Sequence, residues 1–292
     1  MGKIIAIANQ KGGVGKTLTA TCIASLLTTK GYKILTISLD PQRNFDMAAG
    51  ENIAIGRTDM ESLSMLHVIR GACKIEDAIV HTQIGDLVRA SSQLYNWLGE
   101  QIISKDEYLP IRDNLDALHA LMDKRILQAD SNAKVLAKRL ESIRNFYDYI
   151  FIDTNPSLTL LTVNSLYAAD YVIIPAFYEE TSKEAILELW DTIEGLNSAN
   201  YWHKTKILGI LMTKCNKRSI AYRDYLQIYE KLAAHIGTRF FDTKIRQSSK
   251  AAAYVDFNMD LIRYDPNGTT SQDYRDFVEE FLRIMEEELA KV

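Results

Sequence analysis

A glycine-rich segment near the start of the chain contains the residue types that bind phosphate. It runs from Asn9 to Thr17 and reads N-Q-K-G-G-V-G-K-T. Glycines let a backbone curl until its N–H groups face an anion, a lysine can reach the β- and γ-phosphates of a nucleotide, and a threonine hydroxyl can ligate Mg²⁺. The alternative is an ordinary turn between a strand and a helix. The adjacent Lys16 and Thr17 favour a nucleotide site, with the predicted contacts Gly12, Gly13, Val14, Gly15, Lys16, Thr17 and Leu18.

A carboxylate follows another apolar run and could act on the same phosphates. Asp40 comes directly after Ile34–Leu39. Transfer of a phosphoryl group to water requires charge neutralisation and a positioned nucleophile more than covalent chemistry. A carboxylate at the end of a strand could orient the attacking water. The alternative is that Asp40 shapes a turn before Pro41.

These residues are positioned by strands that alternate with helices. The predicted strands are Lys3–Ala8, Lys33–Leu39, Tyr149–Asp153, Tyr171–Pro175, Lys206–Thr213 and, less clearly patterned, Phe240–Ile245. The predicted helices are Lys16–Lys30, Ser157–Ala168, Ser182–Asn197, Ile220–Ile236 and Ser271–Lys291. This alternation predicts an α/β fold with a mostly parallel central sheet covered by helices on both faces. Ligands of such sheets bind beyond the carboxyl ends of the strands.

Length and composition set the frame for this fold. With 292 residues, we expect a single domain over 1–292, with a helical elaboration near 91–130 between strands. The hydrophobic fraction of 47% and the charged fraction of 25% exclude disordered and fibrous classes. Three scattered cysteines argue against a disulfide scaffold, a zinc ribbon or a cysteine-bound cluster. The first apolar run is too short to cross a membrane, and we expect a cytoplasmic protein.

Charge is distributed unevenly along the chain. The net charge is −4, yet Tyr201–Lys250, called here the basic segment, holds eleven Lys or Arg and three Asp or Glu. Basic residues that neutralise phosphates give DNA affinity that is independent of sequence and sensitive to salt. The alternative is a solvated basic face that balances the acidic remainder. The candidate DNA contacts are Lys214, Lys217, Arg218, Arg223, Lys244, Arg246 and Lys250.

The motifs together resemble one family. The strict phosphate-loop pattern G-x-x-x-x-G-K-S/T fails at Gln10, while Lys11 adds a lysine inside the loop. K-G-G-V-G-K-T after a strand is the deviant Walker A signature, and the sequence resembles the ParA/MinD branch of P-loop ATPases, closest to ParA/Soj partition proteins. Ser38–Asn44 (S-L-D-P-Q-R-N) and Phe151–Ser157 (F-I-D-T-N-P-S) resemble the switch and Walker B segments of that family.

This resemblance implies a function and site roles. Lys11 would reach the phosphates of ATP in the partner subunit of a homodimer, so that Lys11, Lys16 and Asp40 form the catalytic set. Thr17 and Asp153 would hold Mg²⁺. The implied protein is a slow, partner-stimulated ATP hydrolase that uses ATP and Mg²⁺ and binds double-stranded DNA nonspecifically. It would associate with the nucleoid and segregate DNA with a ParB-like centromere-binding partner.

Three positions depart from the family pattern. Ser38 replaces the first acidic residue of D-x-D-P-Q, Arg43 replaces a glycine, and Asn155 replaces the first proline of D-x-P-P. These changes remove no proposed catalytic group. The adenine contacts stay open, because the chain reads I-R-Q-S at Ile245–Ser248 where relatives carry I-P-R-N.

Three other functions remain alternatives. They are a MinD-like regulator at the membrane, a P-loop ligase or synthetase, and an ATPase that positions protein clusters. The last predicted helix bears on the first of these, because its polar face is acidic and anionic lipid would repel it. We therefore expect that helix to pack against the domain and the protein not to bind membrane.

Overall fold

Seven strands form one sheet in the computed structural model, which describes residues 1–50, 63–94, 134–199 and 204–291. The order across the sheet is β3-β4-β2-β5-β1-β6-β7, and each neighbouring pair is parallel except the antiparallel pair β3 and β4. The carboxyl ends of the six mutually parallel strands therefore lie along one edge, called here the carboxyl edge. The strands are β1 (Lys3–Ile7), β2 (Ile34–Ser38), β3 (Ile79–Thr82), β4 (Gly85–Val88), β5 (Tyr149–Asp153), β6 (Tyr171–Ala176) and β7 (Lys206–Met212).

Helices cover both faces of the sheet. Alternate residues of β1 divide between them, with Ile5 and Ile7 packed in one hydrophobic cluster and Ile4 and Ala6 in the other. The helices are α1 (Lys16–Thr29), α2 (Asn44–Ala48), α3 (Met65–Arg70), α4 (Val135–Leu140), α5 (Leu160–Ala168), α6 (Glu180–Ala199), α7 (Ile220–His235), α8 (Lys250–Ala253), α9 (Leu261–Tyr264) and α10 (Thr269–Leu289). The predicted α/β class with a mostly parallel sheet is confirmed.

The last helix packs as the sequence predicts. Phe277, Phe281 and Ile284 of α10 are buried in the cluster that also contains Ile23 and Leu27 of α1. Its exposed residues include Glu279, Glu286 and Glu287. Within the described ranges, no helix is both long and apolar enough to cross a membrane.

One predicted strand is wrong. Phe240–Ile245 runs beside β7 but forms isolated parallel bridges and no continuous ladder, with Ile210 bridged to Phe240 and Cys215 bridged to Arg246. Phe241 N and Ile245 N still donate to carbonyls of β7, at Ile210 and Met212. Between them, the Glu280 carboxylate accepts from Asp242 N at 2.6 Å and from Thr243 N at 2.9 Å. A carboxylate from α10 thus replaces the neighbouring strand as hydrogen-bond acceptor for these two groups.

The hairpin of β3 and β4 was not predicted. Its two-residue connection, Gln83 and Ile84, is followed by Gly85 with a φ of +101°. Glycine adopts that backbone without penalty. The available sequence signal for the hairpin was therefore Gly85, which follows the β-branched residues of Ile79–Thr82. The helical elaboration predicted near 91–130 lies outside the described residues from 95 onward, and the single-domain assignment stays a prediction.

Candidate functional site

The glycine-rich loop lies between β1 and α1 at the carboxyl edge. Asn9 fixes its start, because its side chain donates to Pro175 O at 2.8 Å and accepts from Lys11 N at 2.8 Å. Gly13 and Gly15 have φ values of +74° and +88°, a left-handed backbone that side chains other than glycine rarely adopt. No side chain caps the start of α1, so its first N–H groups stay available to an anion.

Lys16 occupies the position expected of a phosphate-binding lysine. The residue is only 6% exposed, and its Nζ donates to Lys11 O at 2.9 Å. Burial lowers the pKa of Lys16 to about 8, although the nearby carboxylates of Asp153 and Asp40 raise it. A bound polyphosphate would add further negative charge beside this buried ammonium and so favour its charged form.

Asp153 ends β5 and is fully buried. Among the described residues, no hydrogen-bond partner satisfies either of its carboxylate oxygens. Burial raises the pKa of Asp153 to about 7, Asp40 raises it further, and the nearby Thr17 hydroxyl and Lys16 lower it, although neither is placed to form a hydrogen bond to the carboxylate. A buried carboxylate without donors is costly unless a ligand compensates it. Hard oxygen ligands from Asp153 and Thr17 fit a hydrated Mg²⁺, so the residues present suit the predicted metal site.

Asp40 stands two residues beyond β2 and is 9% exposed. Its Oδ1 accepts from Gln42 N at 3.0 Å, and its carbonyl accepts from Arg43 N at 2.9 Å. It therefore shapes a turn, as the alternative reading holds. The turn engages one carboxylate oxygen and places the group beside Lys16 and Asp153, so the predicted catalytic role is compatible with it.

The two departures in the switch segment meet at a residue that sequence reasoning missed. Arg43 has a φ of +59°, which explains why a glycine suits this position. Its Nε donates to Asp46 Oδ2 at 3.1 Å, and Asp46 is fully buried. Burial raises the pKa of Asp46 to about 6, while Arg43, Ser38 and Arg89 lower it. The available signal was an acidic residue three positions after Arg43, a spacing that brings two helical side chains together.

Asn155, the third departure, holds the start of α5. Its Oδ1 accepts from the Thr162 hydroxyl at 3.0 Å, and that hydroxyl also lies 2.6 Å from Ser157 O. Asn155 is 1% exposed. Hydrogen bonds to α5 thus fix the loop after β5 without the missing proline.

Lys11 is held by its own chain. Its ammonium contacts the Glu179 carboxylate and the Thr181 hydroxyl, which lie beyond β6 and at the start of α6. The lysine side chain is 28% exposed and the glutamate side chain 37% exposed. A contact between Lys11 and a second subunit would therefore have to replace this pair.

The seven candidate DNA contacts fall into two groups. Arg246 is paired with Asp273 through several hydrogen bonds of 2.6 to 3.0 Å, and Lys250 donates to Asp265 at 2.8 Å. Lys244 lies 3.7 Å above the Phe240 ring, where burial lowers its pKa. These three have structural partners. The other four, Lys214, Lys217, Arg218 and Arg223, are exposed between the end of β7 and the first turn of α7.

The end of β7 also closes the phosphate loop. The Thr213 hydroxyl donates to Val14 O at 2.8 Å. Two residues later, Cys215 N donates to Ile245 O at 2.8 Å, which joins this end of β7 to the I-R-Q-S segment where the adenine contacts were left open. The individual adenine contacts remain unassigned. Among the described residues, no group of three or more His, Cys, Asp or Glu could hold a metal ion by itself.

Comparisons with known proteins agree with this geometry. A sequence model described as an AAA domain matches residues 2–207. The chromosome partitioning protein ParA of Caulobacter vibrioides is 29% identical over 274 residues, 93% of this chain and 91% of ParA. The sporulation initiation inhibitor protein Soj of Bacillus subtilis is 28% identical over 285 residues, 96% and 98% of the two chains. A solved structure of cobyrinic acid a,c-diamide synthase from Mycobacterium smegmatis, with bound ADP and magnesium, is 26% identical with a TM-score of 0.66, covering 92% and 98%.

Proposed function

The chain belongs to the ParA/Soj-type family of partition ATPases, whose cofactors are ATP and Mg²⁺, and on this premise we propose that it moves DNA. It forms a homodimer with ATP, binds double-stranded DNA nonspecifically at the nucleoid, and partitions a plasmid or chromosome with a ParB-like partner. The observation that carries the proposal is the pairing of a left-handed glycine loop with the buried, unpartnered Asp153 at one edge of the sheet.

Hydrolysis of ATP would divide among the residues of the carboxyl edge. The loop N–H groups and Lys16 hold the phosphates, while Thr17 and Asp153 hold the metal, which when bound neutralises charge on the transferring phosphoryl group. Asp40 orients the attacking water. The described residues include no separate strong base beside Asp40, so we expect slow turnover that a partner protein stimulates.

Dimerisation would depend on the release of Lys11. In the free subunit Lys11 is paired with Glu179. The triphosphate of a second subunit offers a denser negative charge than one exposed carboxylate, so ATP favours transfer of the lysine across the interface. Without ATP, the contact within the subunit persists and the monomer predominates.

DNA binding would involve the exposed group at the start of α7. Lys217, Arg218 and Arg223 lie within seven positions of one another and are exposed. Lysines and arginines in this arrangement neutralise backbone phosphates without reading bases, which gives salt-dependent affinity. Ile220 in the same region is 77% exposed, but its apolar side chain is not expected to contact phosphates.

The test is binding to random-sequence duplex DNA with ATP, with ADP and without nucleotide, titrated with salt. We expect tight binding with ATP alone, a steep salt slope, and loss of binding in Lys11→Ala. Binding that ignores nucleotide, or no binding, would leave the ATPase in place and contradict the DNA role. The next measurement would then be whether a protein cargo or a metabolite acceptor stimulates ATP turnover.

A further inference from the structure

Lys214 lies beside the phosphate loop although it follows Gly13 by 201 residues in sequence. A Cβ atom built on Gly13 would lie 3.9 Å from Lys214 Nζ. The preceding residue, Thr213, is bonded to the loop through Val14 O, so the lysine is attached to a fixed point. Its ammonium therefore faces the backbone that is expected to surround the nucleotide phosphates.

The backbone of Lys214 is unusual for a lysine. Its φ is +52°, in the left-handed region that costs a residue other than glycine, asparagine or aspartate free energy. The conformation follows directly after β7 and turns the chain at the carboxyl edge. A left-handed lysine with its side chain over a glycine loop is consistent with selection for that side-chain position.

The ammonium of Lys214 forms no ion pair with the part of the chain that the structure describes. No carboxylate or carbonyl oxygen of the described residues accepts a hydrogen bond from it. Lys11 has Glu179, and Lys16 has Lys11 O. Lys214 is thus the lysine beside the loop whose charge is left for an external anion.

We propose that Lys214 is a third phosphate-binding lysine, which contacts the polyphosphate of the nucleotide held by the loop. The inference rests on the proposed nucleotide function and names a residue of that same site. It moves Lys214 out of the exposed group of candidate DNA contacts, whose other members Lys217, Arg218 and Arg223 lie farther along the chain. The lysine supplies charge to the phosphates from within the subunit while Lys11 is paired with Glu179.

The experiment measures the affinity of the full-length chain for a fluorescent ATP analogue with Mg²⁺. Lys214→Asn removes the charge and keeps a residue that tolerates left-handed backbone, whereas Lys214→Arg keeps the charge. We expect Lys214→Asn to weaken binding about tenfold and Lys214→Arg to restore most of it. Lys231→Gln, which removes an exposed lysine from α7, is the matched control and should bind like the wild type.

Two further readouts separate the outcomes. At saturating ATP, Lys214→Asn should bind duplex DNA with the wild-type salt slope. An unchanged ATP affinity would overturn the inference, and a salt slope reduced by about one would assign Lys214 to DNA. A wild-type chain that fails to bind the analogue would remove the nucleotide function itself.

Thermal unfolding without nucleotide checks the fold of each variant. If Lys214→Asn unfolds, Lys214→Gly, which suits the same left-handed backbone, repeats the test.

Discussion

The carboxyl edge of the sheet and the basic segment hold charged side chains in opposite situations. At the edge, Asp153 is buried without a partner and Lys16 has a lowered pKa. In the basic segment, Arg246 and Lys250 are more exposed and each has a carboxylate partner. A buried charged group that lacks hydrogen-bond partners destabilises a fold and persists where a ligand compensates it, whereas exposed paired charge needs no ligand. Burial and partners, more than the number of charges, distinguish a binding site here.

The largest expected effect is at the edge. Lys16→Ala should abolish nucleotide binding, because it removes the buried ammonium that faces the loop. Titration with a fluorescent ATP analogue measures the loss, and circular dichroism checks the fold. Retained micromolar affinity would contradict the phosphate-loop assignment and with it the contrast between the two regions.

Asp40 tests chemistry at the same edge separately from binding. Asp40→Ala should keep ATP affinity and lower turnover by about a hundredfold or more, because the water loses its orienting carboxylate. The ATP state should then accumulate as a dimer on DNA. Single-turnover hydrolysis measures the turnover, and light scattering measures the dimer. Unchanged turnover would mean that Asp40 only shapes the turn after β2.

The edge was also the part of the molecule most open to prediction. Its chemistry is contiguous in sequence, since the residues from Asn9 to Thr17 act through backbone shape that glycines encode. Asp40 was found because it follows a strand whose carboxyl end should lie at this edge, whereas Asp153 was assigned through the resemblance of Phe151–Ser157 to the Walker B segment.

What sequence could not supply was the partner of each charge. Glu280 binds the backbone N–H groups of Asp242 and Thr243 from a distance of almost forty residues along the chain, and Asp273 neutralises Arg246 from 27 residues away. Contacts of this kind depend on the docking of α10, which no local pattern reports. The burial of Asp46 likewise follows from packing and not from spacing.

Asp46 provides the next largest effect, on stability. Its folded-state pKa of about 6 lies above the ordinary value of 3.8, so the folded state binds the extra proton and stability is lost as pH rises through that window. Asp46→Asn stays neutral, and its free energy of unfolding should rise relative to wild type by up to about 3 kcal/mol between pH 4 and pH 7. Urea unfolding at several pH values measures this difference. A constant difference would mean that Arg43 compensates the ionised carboxylate fully.

The contrast between paired and unpaired basic residues can be measured directly. Lys217→Gln with Arg218→Gln should reduce the salt slope of DNA binding by about two, because both side chains are exposed on one loop. Arg246→Gln with Lys250→Gln removes the same charge but should leave that slope unchanged and lower the melting temperature, since Asp273 and Asp265 lose their partners. Equal effects of the two double variants on DNA would show that charge number, and not pairing, determines binding.

The smallest expected effect is on dimerisation and concerns Lys11, a lysine of the carboxyl edge that is paired as the basic-segment residues are. Lys11 is an edge residue that is paired and partly exposed, like those of the basic segment. An exposed ion pair contributes about 0.2–1 kcal/mol, so Glu179→Gln should strengthen ATP-dependent dimerisation by at most about fivefold. Analytical ultracentrifugation with ATP measures the shift, with Glu188→Gln on α6 as the control. Weaker dimerisation in Glu179→Gln would instead place Glu179 in the interface, where its pairing with Lys11 supports the dimer and does not restrain it.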